Sequence, residues 1–358
     1  MGSQGRRRDA GPRGPGLEKS MIGLWDTTGN EVVKALAAER RSAGGVASGM
    51  ALTLIVVVDE KRVREAEAAA TIAAAAHPCR LLVVVRSDVE RDRNRLDAEI
   101  VVGGRLGPCE AVVTRMYGRL ALHAESVVMP LLVPDVPVVT WWHGEPPTEI
   151  ATDFLGVVAD RRITDSAQAG DPIAALRQRA HDYAPGDTDL AWTRITPWRT
   201  LVTGAFDTTE ARVTEARVVA PPTDPTAALM CGWLNSRLGI NTRWEPAPEA
   251  PRMREVQLNC ANGDVLTLSR DDSVATFRRT GQDDRQLPLV RRPLGDELAE
   301  ELRRLDADQV YAEALGAMAG IRGLQQRPAQ RVHVWKDPAT AKRAEAGVTA
   351  HAGTSSNE

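Results

Sequence analysis

The sequence predicts an α/β protein: a Rossmann-like, mostly parallel sheet in the first half, followed by a smaller α+β domain with an antiparallel meander. Three observations predict it. Leu52 to Val58 (LTLIVVV) and Arg80 to Val85 are unbroken apolar runs rich in β-branched residues, the pattern of strands covered on both faces. An alanine-rich stretch over 61–76 lies between them, which makes a βαβ unit spanning 52–86 with parallel strands. From Val256 onward the pattern changes to short runs of alternating polarity around Asn262-Gly263 and Gly281, the mark of hairpins.

Each element has a local reason. Thr28 with Glu31 three residues on forms a capping box, and Val33, Leu36 and Ala37 give the helix over 29–42 an apolar side before Gly44-Gly45. His77-Pro78 stops the next helix. Ala98 to Val102 and Ala111 to Met116 read as strands parted by turns at Gly103-Gly104 and Gly107-Pro108. Leu120, Ala124, Val127, Val128 and Leu131 follow helical spacing. Val136 to Trp142 (VPVVTWW) is a buried strand running into His143, Gly144 and Glu145, and Arg161 to Asp165 is a last short strand.

Beyond Gln168 the rhythm alters. A helix with Pro172 in its first turn reaches His181, and another beginning near Pro225 carries Leu229, Trp233 and Leu238 to Gly239. The meander strands are Val256–Cys260, Val265–Ser269, Val274–Arg278 and Leu287–Val290. Leu294, Leu298, Leu302 and Leu305, then Tyr311, Ala314, Leu315 and Met318, give two closing helices. The expected organisation is a basic disordered arm over 1–20, an α/β domain over 21–167, an α+β domain over 168–325 and a disordered polar tail over 326–358. The arm reads equally well as an extension upstream of a start at Met21.

Composition narrows the function. A net charge of −3 gives no general attraction to nucleic acid or anionic membranes. No run of about 18 apolar residues offers a membrane span. The arm contains arginines but no apolar core, so it fails as a secretory signal. Cys79, Cys109, Cys231 and Cys260 lie far apart in sequence, with no CxxC and no histidine at ligand spacing, so reduced cytoplasmic thiols and no metal are expected. Asp59-Glu60-Lys61-Arg62 stands after the first strand where a GxGxxG phosphate loop would be needed, so no dinucleotide cofactor is expected. No catalytic residues emerge: there is no G-x-S-x-G setting, the histidines are scattered, His77 and Cys79 flank a turn, and His123 with Glu125 sits at a polar helix margin.

What stands out is tryptophan beside arginine. In a strand Trp141 and Trp142 point to opposite faces, so one packs in the core and the other is free to anchor a contact. DTDLAWTRITPWR, residues 187–199, sets Asp187, Asp189, Arg194 and Arg199 among Trp192 and Trp198. That mixture suits an interaction surface, a phosphate grip or an intramolecular brace.

HPCR at 77–80, RMYG at 115–118, HAESVVMPLLVPDVPVVTWWHGE at 123–145, RRITD at 161–165 and DTDLAWTRITPWR together resemble the glucose-6-phosphate dehydrogenase assembly protein family, OpcA, over about residues 21–320. The resemblance implies a non-catalytic cytoplasmic protein that binds glucose-6-phosphate dehydrogenase, favours its active oligomer and so supports NADPH supply by the oxidative pentose phosphate pathway. The alternative is an enzyme or sensor with a phosphosugar or nucleotide pocket. Motif membership and chemistry nominate Trp141, Trp142, Arg161, Arg162, Trp192, Arg194, Trp198 and Arg199 as partner-contact residues.

Overall fold

The computed structural model describes residues 21–42, 49–103, 109–206, 211–329 and 332. The expected Gly44-Gly45 helix end, most of the 103–108 turn, the arm and nearly all of the tail lie outside the described residues. In chain order the elements are β1 (Met21–Leu24), α1 (Gly29–Ser42), β2 (Leu52–Val58), α2 (Val63–Ala76), β3 (Cys79–Arg86), β4 (Arg95–Val102) and β5 (Glu110–Tyr117). They continue with α3 (Glu125–Val128), β6 (Val138–His143), α4 (Phe154–Val157), β7 (Arg161–Thr164), α5 (Pro172–Asp182), β8 (Asp187–Asp189), α6 (Leu190–Arg194) and α7 (Thr196–Phe206). The second half holds β9 (Val213–Ala220), α8 (Pro225–Leu238), β10 (Arg243–Pro246), β11 (Glu255–Cys260), β12 (Val265–Asp271), β13 (Val274–Arg279), β14 (Arg285–Pro288), α9 (Leu294–Glu301) and α10 (Gln309–Ala319).

An eight-stranded sheet has the order β1-β4-β5-β3-β2-β6-β7-β8. The run from β5 to β8 is parallel, and β1 and β4 add antiparallel pairs at one margin. All seven side chains of β2 are buried, as a strand with two covered faces requires. One face packs Leu54, Val56, Val83 and Trp141 under the alanines of α2 and under Leu298 of α9 and Leu302 just after it; the other packs Ile55, Val57, Val84 and Trp142 against Val32, Leu131 and Leu155.

The second sheet, order β10-β9-β11-β12-β13-β14, holds the expected meander: β11 to β14 pair antiparallel throughout, with Gly263 at φ +88° and Gly281 at φ +73° in the turns. β9 and β10, which are parallel to each other, were not legible in the pattern. Helices α8 and α10 close a core with Leu229, Leu234, Tyr311 and Leu315. The Thr28–Glu31 box forms reciprocally, the Thr28 amide donating to the Glu31 carboxylate at 3.1 Å and the Glu31 amide to the Thr28 hydroxyl at 3.3 Å.

Three expectations change, and one pair of residues proves closer than the sequence suggests. The first sheet does not end at 167, because β8 pairs parallel with β7 and α5 is therefore a crossover within the sheet. α9, expected in the second domain, returns to cover α2 and the first sheet. The single helix over 120–131 is instead a 3-10 turn, a four-residue helix and a second 3-10 turn: His123 leaves the helical region at φ −120°, ψ 46°, and Pro130 has no amide with which to continue the ladder. Cys79 and Cys109, far apart in sequence, meet at the start of adjacent strands, the Cys79 amide lying 3.4 Å from the Cys109 sulfur; all four thiols are free and buried.

Candidate functional site

The carboxyl end of β2 is where a doubly wound fold offers helix amides to a phosphate. Here Asp59 takes them. Its Oδ1 accepts the amides of Lys61 at 2.9 Å and Arg62 at 3.1 Å, so a carboxylate already fills the place that an anion would need. A β-carbon on Gly144, at the end of β6, would lie 3.2 Å from the Arg62 guanidinium, which narrows the corner further.

Charge and aromatic area concentrate instead at the joint between the two sheets, built by β7, β8, α6, α7 and α9. The N-cap of α6 is Asp189, whose Oδ1 accepts the Ala191 amide at 2.9 Å while Oδ2 accepts from the hydroxyls of Thr164 at 2.7 Å and Ser166 at 2.6 Å. Burial raises its pKa and neighbouring Asp165 adds to the rise. Arg162 bonds Asp187 and gives its other protons to the carbonyls of Gly156, Ala159 and Pro185. Arg161 bonds Glu301 of α9 and the Asp306 carbonyl at 3.0 Å. Arg194 makes a two-pronged contact with Asp165 at 2.6 and 2.8 Å and a third with Glu297 at 2.9 Å.

The four nominated tryptophans are inside. Trp141 and Trp142 do point to opposite faces, but helices cover both, and neither ring is more than 1% exposed. No second ring is left over as an anchor. Trp198 lies in the second core with the Arg270 guanidinium 5.3 Å from its ring. Trp192 donates from Nε1 to Asp308 at 2.9 Å and packs 5.7 Å from Tyr311. Arg199 stacks on the outer face of Trp192, its guanidinium carbon 3.6 Å from the ring centre. Burial depresses the Arg199 pKa to about 10, against the opposing pull of Asp308, Glu300 and Glu301.

Of the eight nominated residues, Trp141, Trp142, Arg161, Arg162, Trp192 and Trp198 are therefore buried, and only Arg194 and Arg199 keep appreciable exposure. Arg161, Trp192 and Arg199 come together on one cleft of about 1360 Å³ between α7 and the α9–α10 connection; Trp141 and Trp142 take no part in it. Sequence reasoning missed the acidic half of the joint. Glu297, Glu300 and Glu301 recur at helical spacing in LGDELAEEL, a signal that the basic words RRITD and DTDLAWTR required an acidic partner. Trp233, Arg303 and Arg304 on the cleft wall were missed too.

Fold and joint together define a two-sheet protein whose Rossmann-like half has its phosphate corner filled by its own carboxylate and has its last strands tied to α6 and α9 by buried ion pairs. Residues 70–181 match the family model described as the N-terminal domain of a glucose-6-phosphate dehydrogenase subunit, and residues 185–315 match the model described as the C-terminal domain of the same protein. The chain belongs to the OpcA family of glucose-6-phosphate dehydrogenase assembly proteins. It is 27% identical over 188 residues to a protein of Synechocystis sp. named OpcA and assigned by that name to the OxPP cycle. That alignment covers 48% of this chain and 39% of the relative. Among solved structures, the 3-ketoreductase KijD10 of Actinomadura kijaniata (12% identity, TM-score 0.42) aligns with 79% of this chain and 98% of its own. An NAD-binding oxidoreductase of Klebsiella pneumoniae (11% identity, TM-score 0.38) aligns with 81% and 100%. At these scores the likeness carries no argument about chemistry. Among the described residues no helix is long and apolar enough to cross a membrane, and no cluster of histidine, cysteine and acidic side chains could hold a metal.

Proposed function

We propose that this protein is a non-catalytic assembly factor that binds glucose-6-phosphate dehydrogenase in the cytoplasm, favours its active oligomer and thereby raises NADPH supply through the oxidative pentose phosphate pathway. The observation that carries the reading is the pair of consecutive family matches, which between them take in the first sheet from β3 onward, the second sheet and the joint. The filled corner at Asp59 supports the non-catalytic half of it, since the amides that would hold a pyrophosphate are spent on a side chain. The mechanism is linkage: a protein that binds the oligomer more tightly than the free protomer shifts the equilibrium toward the oligomer by its difference in affinity, and by no more.

The contact face follows from exposure. Arg194 and Arg199, the nominated residues with surface to offer, are proposed to touch the partner, and Arg161, Arg162, Trp192 and Trp198 hold the joint that presents them. The test is sedimentation of the purified dehydrogenase with and without this chain, alongside dehydrogenase activity. A larger dehydrogenase species and higher activity are expected on mixing. Turnover of glucose 6-phosphate with NADP by the isolated chain, or no association across a wide concentration range, refutes the proposal.

A further inference from the structure

Three guanidinium groups of the cleft beside the joint have no carboxylate partner among the described residues. Among the described residues the Arg199 side chain makes one hydrogen bond, from Nη2 to the Thr196 hydroxyl at 3.0 Å; its Nε is buried with no partner, and no carboxylate oxygen of those residues lies within 4.0 Å of its guanidinium. Its charge rests on the π face of Trp192. Arg303 and Arg304 line the same cleft, exposed, and neither forms an ion pair among the described residues.

The acids nearby are occupied. Glu301 is bonded to Arg161 and Thr193, Glu300 to Arg292 and Thr196, and Asp308 to the Trp192 indole and the Tyr311 amide. That leaves three guanidinium groups against two carboxylates, the exposed Asp306 and Asp308, whose own bonds are to neutral donors: a balance of one positive charge. Beside them stand the Trp233 ring and the hydroxyls of Thr200 and Thr203. Guanidinium forks suit phosphate oxygens, and an aromatic wall with hydroxyls suits a sugar or base attached to that phosphate.

We propose that this cleft binds a small phosphorylated metabolite, its phosphate dianion held by Arg199, Arg303 and Arg304 and its ring set against Trp233. An acidic segment of a partner protein is the competing occupant. A cleft of about 1360 Å³ admits a nucleotide-sized ligand, and three guanidinium groups on one cleft that are unpaired among the described residues, two exposed and one half-buried, suit a compact dianion. The site differs from the Asp59 corner, where the fold's usual phosphate position is closed.

The test uses the full chain alone, so it does not depend on whether the chain assembles a dehydrogenase. Calorimetric titrations are run with glucose 6-phosphate, with ATP and NADP, and with inorganic phosphate as competitor, at fixed ionic strength. The expected result is saturable one-to-one binding of at least one organic phosphate, competed by inorganic phosphate and weakened at least about tenfold by Arg303→Glu with Arg304→Glu. Those two side chains are exposed, so the unliganded melting temperature of that variant should match the parent and loss of binding is not loss of fold. Arg199→Gln should weaken binding as strongly while keeping a donor for Thr196. The proposal is overturned if no phosphate binds at millimolar concentration, if sulfate binds as well as every organic phosphate, or if the Arg303/Arg304 variant binds like the parent. It is also overturned if that variant loses association with the dehydrogenase while the parent binds no phosphate, which would assign the cleft to a protein segment.

Discussion

Replacing Glu301 by alanine should destabilise the protein more than almost any other single change at the joint. The Glu301 and Arg161 side chains are only 6% and 4% exposed, and the carboxylate also accepts the Thr193 hydroxyl at 2.5 Å. Truncation leaves the Arg161 cation buried with the Asp306 carbonyl as its remaining partner. Breaking a buried pair from one side costs about 3–5 kcal/mol, whereas replacing both partners by apolar groups of similar volume is often near neutral. Thus Glu301→Ala should cost about 3–5 kcal/mol, and Arg161→Met combined with Glu301→Leu should cost well under the sum of its two single changes. Urea denaturation followed by tryptophan fluorescence reads this directly, since Trp192 and Trp198 sit beside the joint. A loss below about 1 kcal/mol for Glu301→Ala, in the range of exposed pairs, would show that Arg161 finds water or another partner and that the joint is not dry.

Three further changes probe other parts of the structure. Gly232→Ala in α8 places a β-carbon 2.1 Å from the Ala314 carbonyl of α10, so it should cost about 1–3 kcal/mol although the same change at an open helix site gains about 1 kcal/mol; a stabilised variant in thermal melts would contradict the packing of these helices. Asp182 is buried beside Arg179 at 3.6 Å, with Oδ1 unpartnered, and burial raises its carboxyl from 3.8 to about 7. The folded state therefore holds that proton more tightly than the unfolded chain: the associated stability is present below pH 3.8 and is lost as pH rises to about 7, on the order of 4 kcal/mol in all. Asp182→Asn, whose amide oxygen can still accept from the Ile150 amide, should raise the melting temperature above pH 7 and change it little near pH 4, and equal effects at both values would refute the assignment. Trp198→Ala empties a site that is 2% exposed and should cost about 3–5 kcal/mol while leaving dehydrogenase binding per folded molecule unchanged; weaker binding by fully folded protein, seen when titration and circular dichroism are compared, would give Trp198 a contact role.

The parallel sheet was legible because its signal is local and redundant. LTLIVVV can be little else, and the alanine helix between two such runs leaves one arrangement of the unit. The Thr28 box and Gly239, at φ +66° after α8, were legible because a cap depends on a few neighbouring residues. What escaped depends on contacts distant in sequence. Asp187–Asp189 reads as loop, since three polar residues have no strand pattern, and only pairing with β7 and the arginines of RRITD makes it the sheet's edge. α9 reads as an amphipathic helix either way; nothing within LGDELAEEL says which sheet it covers.

The candidate residues show the same division more sharply. Trp and Arg are enriched in binding hot spots because they combine area with donors, but those properties also suit an internal joint of packed rings and buried ion pairs. Composition cannot separate the two uses; the positions of the acids can. Each of Arg161, Arg162 and Arg194 has a buried carboxylate of its own, supplied by Glu301, Asp187, and Asp165 with Glu297, whereas Arg199 has none among the described residues. RRITD and DTDLAWTRITPWR, two of the words that carried the family resemblance, are therefore largely an internal brace. By this reasoning Arg161→Lys, which keeps the charge but loses the fork, should destabilise the fold, and Arg199→Lys should leave the fold nearly intact and alter what the cleft holds.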